Sequence, residues 1–285
     1  MIRCSDAARV RQDSLDATAP PTTAWLLLEI QGPWGPRGLL DSSLSNVTAQ
    51  AVQARADIHG LRVLLIRRFG RRSTLGPFAW GVVDASSQRT SWGTWTDPNQ
   101  LLNDPLPSPG QLGCQTSDDP LYLVCTHGKH DTCCAVRGRP LAQAFTVMRP
   151  NQTWECTHLG GDRFAANVVV LPSGHYYGHV EPVEAAKIVH RVEQGRVFVP
   201  RLRGQSGEAP AAQAAQLYVR RSTGEDHADA LETTAIEPLS ADSWRVTLAG
   251  VADPVLVTRT SFTDDRGFTC AATSPGTAWS WHVQE

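Results

Sequence analysis

Three features of the 285-residue sequence predict a mixed α/β (α+β) fold arranged in three lobes. Short apolar runs of strand length recur along the chain, separated by turn-rich or helical stretches. A Pro-, Gly- and Ser-rich tract from Asp97 to Ser117 interrupts them, and a second low-complexity stretch, GQSGEAPAAQAAQ, follows Pro200. Hydrophobic residues make up 41% and charged residues 19%, so the chain can bury a core, and single cores stop growing at about 250–300 residues. These breaks give an N-terminal α/β lobe over 1–117, a middle domain over 118–204 and a small, mostly β C-terminal lobe over 205–285.

Residues 1–21 are polar, with Pro20 and Pro21, and read as a leader that packs only at its end. From Ala24, AWLLLEI is a strand-like run followed by the turn-rich QGPWGPRG. RVLLIRRF after Gly60 is a second strand, with a helix expected between them from Ser45 to His59. FAWGVVD adds a third strand after the basic run RRFGRR, Arg67 to Arg72. In the middle segment LYLVC is a strand and CAVRGRPLAQAFTVM a helix; TWECTHL, FAANVVVLP and HYYGHV are three more strands, rich in β-branched and aromatic residues. EPVEAAKIVHRVEQG closes the segment as an amphipathic helix, with Val183, Ala186, Ile188, Val189 and Val192 near one face and Gly195 at the C-terminal cap. This order, β-α-β-β-β-α, is close to that of a thioredoxin-like domain. After Pro200 the alanines run into a helix ending near Gly224. WRVTLAG, PVLVTRTSF, GFTCAA and AWSWHV then read as mostly antiparallel strands, a lobe with no assignable constellation.

A formal charge of −2 excludes a generally basic nucleic-acid binder, and no basic recognition helix is visible. No apolar run approaches the roughly 20 residues that span a bilayer, and MIRCSDAARVRQDS has no signal-type stretch, so a cytoplasmic protein without membrane attachment is expected. Seven cysteines are too sparse and uneven for a disulfide scaffold. Four crowd the middle, Cys125, Cys133, Cys134 and Cys156, which in a reducing compartment points to metal or redox chemistry.

The informative text is CTHGKHDTCC, Cys125 to Cys134, followed by WECTHLGGDRFAAN, Trp154 to Asn167. Cys125 ends a strand, the polar loop THGKHDT can fold around a bound group, and Cys134 starts a helix whose N-terminal dipole favours thiolate. Cys156 and His158 share one face of a strand, because alternate residues do. Gly160 and Gly161 permit a tight turn with close backbone approach to a ligand. Two loops, each offering two soft ligands, meet the needs of a small iron-sulfur cluster. Structural zinc sites usually space paired cysteines by two to four residues, whereas eight residues separate Cys125 from Cys134 and seven separate it from Cys133. An iron-sulfur cluster is therefore ranked above zinc, and buried inert thiols stay open. RRFGRR could dock a reductase or an anionic cofactor, although a solvated strand end is favoured. Trp34 reads as packing between lobes, His175 and His179 as structural before ligating, and Cys4, Cys114 and Cys270 as isolated buried side chains.

At these residues the chain resembles the sucrase/ferredoxin-like family. CTHGKHDTCCAVRGRPLA and WECTHLGGDRFAANVVVLP carry the resemblance, with AWLLLEIQGPWG and LRVLLIRRFGRR, and it covers about residues 4 to 200. It implies a thioredoxin-like ferredoxin that binds one 2Fe-2S cluster through two cysteines of the first loop and two histidines, three residues apart, of the second. Cys125 and Cys134 match the cysteine positions and His158 the first histidine; Cys133 could replace Cys134 by a one-residue shift. Asp162 stands where the second histidine belongs. The fourth ligand is then the Asp162 carboxylate or the Cys156 thiolate, with Cys156 preferred because such clusters favour sulfur.

The function implied is one-electron transfer with an unidentified reductase or acceptor, at a potential above that of all-cysteine ferredoxins. Arg163, Lys129 and His130, close to the ligands in sequence, would tune the potential, receive an acidic partner, or simply line a solvated loop. The alternatives are an iron-sulfur redox sensor and a zinc-stabilised interaction module. No carboxylate pair with glycosidase features supports a sucrase, and neither a phosphate-binding Gly-rich loop nor a Ser nucleophile elbow is present.

Overall fold

Most of the apolar runs form the strands expected of them, and those before residue 206 lie in one sheet. The computed structural model describes residues 2–70, 76–103 and 115–284. Helix α1 (Cys4–Arg11) leads into β1 (Ala24–Glu29), α2 (Asn46–Ile58) and β2 (Arg62–Arg67), then β3 (Phe78–Asp84), β4 (Arg89–Trp95), α3 (Gln100–Asn103) and β5 (Gln115–Ser117). The middle segment runs β6 (Leu121–Cys125), α4 (Thr132–Met148), β7 (Thr153–Cys156), β8 (Val168–Leu171), β9 (His175–Tyr177) and α5 (Ala185–Glu193). It ends in β10 (Leu202–Gln205). Helix α6 (Pro210–Thr223) and strands β11 (Thr233–Ser240), β12 (Ser243–Leu248), β13 (Val255–Asp264) and β14 (Gly276–Val283) complete the chain.

The first ten strands are ordered β10-β9-β8-β6-β7-β2-β1-β3-β4-β5. Within this sheet β6 and β7 are parallel, while β8 is antiparallel to both β6 and β9. The order β9-β8-β6-β7, with α4 crossing between β6 and β7, is the thioredoxin-like arrangement that the sequence order predicts. Strand β2 pairs with β7 through Ile66↔Cys156 and Arg67↔Glu155, so the sheet runs unbroken from the N-terminal segment into the middle one. Burial explains the composition: β1, β6 and β8 are buried along their whole length and are nearly all apolar. The second sheet is the meander β11-β12-β13-β14, against which the alanine-rich face of α6 packs. No helix among the described residues is long and apolar enough to cross a membrane.

Four expectations need correction, and one strand, β11, was not foreseen. The leader packs from its start as well as its end: α1 buries Cys4, Ser5, Ala7 and Ala8, because its small side chains let the helix lie close to the 3-10 turn at Asp162–Phe164. Helix α5 buries Ala185, Ile188 and Val189, whereas Val183 is 84% exposed. Val183 lies in the 3-10 turn Pro182–Glu184 before the helix, and Ala186, one residue after the buried Ala185, is turned about 100° away from that face. GFTCAA is a loop, since β13 continues to Asp264 and pairs directly with β14. Strand β11 has no apolar run and is exposed for nearly all its length; pairing with β12 holds it. Arg67 and Arg68 form structural ties: Arg67 pairs with Glu155 at 2.8 Å and lies over Trp34, and Arg68 lies over the Trp154 ring. Arg71, Arg72 and Cys114 lie outside the described residues.

Candidate metal centre

The thiols of Cys125 and Cys134 meet because α4 begins directly over the end of β6. Asp131 caps the helix, its Oδ1 accepting from the Cys133 amide at 2.7 Å. Gly138 then lets the helix cross the strand end, since a Cβ there would collide with the Cys125 carbonyl oxygen. On the opposite side the chain leaves β7 at Cys156, and His158 sits just beyond the strand. Gly160 and Gly161, at φ +93° and +75°, turn the chain back so that Asp162 faces His158. The close approach that these glycines permit is to Pro20, Phe164 and the fully buried Arg203, whose guanidinium donates to the Gly160 carbonyl at 2.9 Å. Arg203 escaped the sequence reading, yet it also holds Thr18 and Asn167 and so fixes the turn from beneath.

Donor atoms of Cys125, Cys134 and His158 all lie within 4.8 Å of one another, and those of His130, His158 and Asp162 form an overlapping group. The Cys134 thiol donates to Asp162 Oδ1 at 3.3 Å, and His158 Nδ1 lies 2.9 Å from the same oxygen. His130 Nε2 lies 3.5 Å from Asp162 Oδ2, with its ring stacked on His158 at 3.8 Å between centroids. His130 is thus part of the constellation, a role that its place in a two-histidine loop could have signalled. Cys156 is Cα-paired with Cys125 and buried in the same apolar cluster, but its sulfur joins none of the converging groups. Cys133 faces away, towards Cys4 and Cys270. His175 and His179 join no group either; His175 is buried against Ser173 and His179 lies edge-on to Phe164.

The electrostatics suit an anionic sulfur beside an imidazolium. Hydrogen bonding from Cys134, aided by His158, holds the Cys125 thiol well below its ordinary range against the opposing effect of burial. The Cys134 thiol is pushed up correspondingly, by its bond to Cys125 and by burial. Burial opposes charge on His158, but Asp162 and Cys125 outweigh it and raise the imidazole to about 9. Asp162 is likewise opposed by burial and is held well below the usual carboxylate range by His130 and His158. The turn after β1 roofs the loop. His127 Nε2 lies 2.8 Å from the Gly35 carbonyl oxygen and its ring meets Trp34 edge-on, so Trp34 packs between segments as expected. Two thiols, an imidazole and a carboxylate converging in a largely buried pocket form a donor set that a 2Fe-2S cluster or a single soft metal ion can use.

Known proteins resemble this chain in parts. A protein of Meyerozyma guilliermondii, altered inheritance of mitochondria protein 32, is 33% identical over 101 residues, 32% of this chain and 36% of that protein's length. A thioredoxin-like [2Fe-2S] ferredoxin from Aquifex aeolicus shares 21% identity over 32% of this chain and 94% of its own, with a TM-score of 0.28. A cysteine-to-serine variant of that ferredoxin gives 21% identity, 30% and 97% coverage and a TM-score of 0.26. The sucrase/ferredoxin-like family description matches residues 15–204, a span that holds both loops of the candidate centre and the whole thioredoxin-like core. By that match the chain belongs to the sucrase/ferredoxin-like family.

Proposed function

We propose that the protein is an electron carrier that binds one 2Fe-2S cluster with mixed sulfur, nitrogen and oxygen ligation. The observation that carries this reading is the convergence of Cys125, Cys134 and His158 from two loops that the family shares. Cys125 and Cys134 would supply the thiolates. His158 would bind through Nε2, since its Nδ1 lies 2.9 Å from Asp162 Oδ1. Asp162 is proposed as the fourth ligand in preference to Cys156, because its carboxylate already touches both Cys134 and His158. When bound, such a cluster accepts and releases one electron, and with only two thiolates its potential lies above that of all-cysteine centres. The surrounding residues exclude water and hold the ligands: Gly35 and Trp34 cover the loop, and His130 grips the outer oxygen of Asp162. In this reading segment 118–204 carries the centre, 1–117 and 205–285 flank it, and an unidentified reductase or acceptor in a reducing, cytoplasmic setting exchanges the electron.

Iron and acid-labile sulfide analysis on protein purified without oxygen tests the proposal. About two of each per chain, with visible bands that bleach on dithionite, is the expected result. Cys125→Ser and Cys134→Ser should remove the cluster, Asp162→Ala should shift the spectrum, and Cys156→Ser should leave it unchanged. A colourless protein, or a full cluster in Cys125→Ser, would overturn the assignment.

A further inference from the structure

A second thiol cluster lies on the other side of the first turn of α4. Cys4 from α1, Cys133 from α4 and Cys270 from the loop between β13 and β14 bring their sulfurs into a triangle with sides of 3.6, 3.3 and 3.5 Å. Asp131 closes the group: an oxygen of its carboxylate lies 3.6 Å from the Cys4 sulfur, and all four donors fall within 4.8 Å of one another. Three of the four residues are buried and Cys270 is half-buried. The three cysteines come from segments 129 and 137 residues apart, so local sequence constraints do not force the encounter.

We propose that this cluster is a structural zinc site, Cys4, Cys133, Cys270 and Asp131, which pins the N-terminal helix and the C-terminal lobe to the middle segment. A tetrahedral zinc ion with bonds of about 2.3 Å to sulfur and about 2.0 Å to oxygen holds its ligand atoms roughly 3.5–3.8 Å apart. The observed separations match that spacing after a movement of a few tenths of an ångström. Several features prepare the site for an ion. The Asp131 carboxylate is fixed by the Cys133 amide at 2.7 Å and the Cys270 amide at 2.6 Å, and each of its oxygens keeps a further lone pair for the metal. Ser5 Oγ donates to the Cys133 sulfur at 3.2 Å, an outer bond of the kind that orients a ligand. Three thiolates and a carboxylate around a divalent ion leave a net charge of −2, partly offset by the N-terminus of α4. Binding exchanges the thiol protons for the ion and releases them to solvent. The site is independent of the proposed cluster: Cys133 and Cys134 are neighbours, but they face opposite sides of the helix end.

The full chain, purified without oxygen from zinc-supplemented cells, is assayed for zinc, iron and sulfide together. The expected result is about one zinc per chain in the wild type, falling below about 0.1 in Cys270→Ser and Cys4→Ser with iron unchanged. Cys125→Ser should show the reverse, with iron lost and zinc kept. Cys270→His should retain zinc, because imidazole also ligates it, and cobalt loaded into the wild type should give the intense bands of a tetrahedral thiolate site even if a serine variant fails to fold. Wild-type protein without zinc, zinc lost from Cys125→Ser but kept by Cys270→Ser, an octahedral cobalt spectrum, or a Cys133–Cys270 disulfide in the reduced preparation would each overturn the proposal.

Discussion

The two thiol clusters share one helix terminus and each includes an aspartate, but they differ in how they are assembled. One is built from Cys125, Cys134, His158 and Asp162, all within a span of 38 residues, with two histidines in contact and a roof of main-chain carbonyls. The other gathers Cys4, Cys133 and Cys270 across nearly the whole sequence, has no histidine, and is tied to the chain by main-chain amides that bond Asp131. Imidazole and a titratable hydrogen-bond network suit a centre that changes charge, whereas a sulfur-rich cage joining three segments suits a fixed ion. Successive residues on a helix lie about 100° apart, and that angle alone sends Cys133 and Cys134 to separate sites.

The strongest way to break this contrast is to exchange the neighbours. Cys134→Ser is expected to abolish iron binding while leaving the Cys4–Cys270 cluster intact, and Cys133→Ser to do the opposite, both read by metal content. Next in size, Asp162→Ala should weaken retention of the first metal about 10–100-fold and shift its visible spectrum, since it removes a contact to both Cys134 and His158. Competition with a chelator measures this. Gly138→Ala strikes what the clusters share: α4 must move off the Cys125 carbonyl, at a cost of about 1–3 kcal/mol in denaturant unfolding. It should perturb the first centre more than the second, because the clash falls on Cys125.

A separate effect lies away from both clusters and provides a background. Burial lowers the His175 imidazole to about 3, so the unfolded chain binds a proton there that the folded chain does not. Stability from this group is therefore complete above pH 6.5 and is lost as the pH falls from 6.5 towards 3, by roughly 1 kcal/mol per pH unit. His175→Gln should flatten that acid limb in thermal melts without altering metal content.

The first cluster was legible in the sequence because its residues sit at loop positions next to strong strand and helix signals. Cys125 ends an apolar run, Cys134 opens a helix, and the family resemblance spans both loops. The turn at Gly160–Gly161 was legible too, but not the buried Arg203 that supports it, since one arginine inside a four-residue strand has no periodic signature. The second cluster left no trace in the sequence: Cys4 and Cys270 stand alone in their segments, and only the docking of α1 and the return of the β13–β14 loop bring them to Cys133. Strands β4 and β11 were missed for a related reason, as sheet pairing, rather than local apolar content, defines them.

The central claim is that histidine and cysteine together hold a redox-active cluster, and pulsed electron paramagnetic resonance on the dithionite-reduced protein tests it most directly. With 15N-labelled histidine, the account predicts the half-integer signal of one reduced 2Fe-2S centre, coupled strongly to a histidine nitrogen that disappears in His158→Cys while a cluster remains. A reduced cluster without nitrogen coupling, or coupling that survives in His158→Cys, would contradict it.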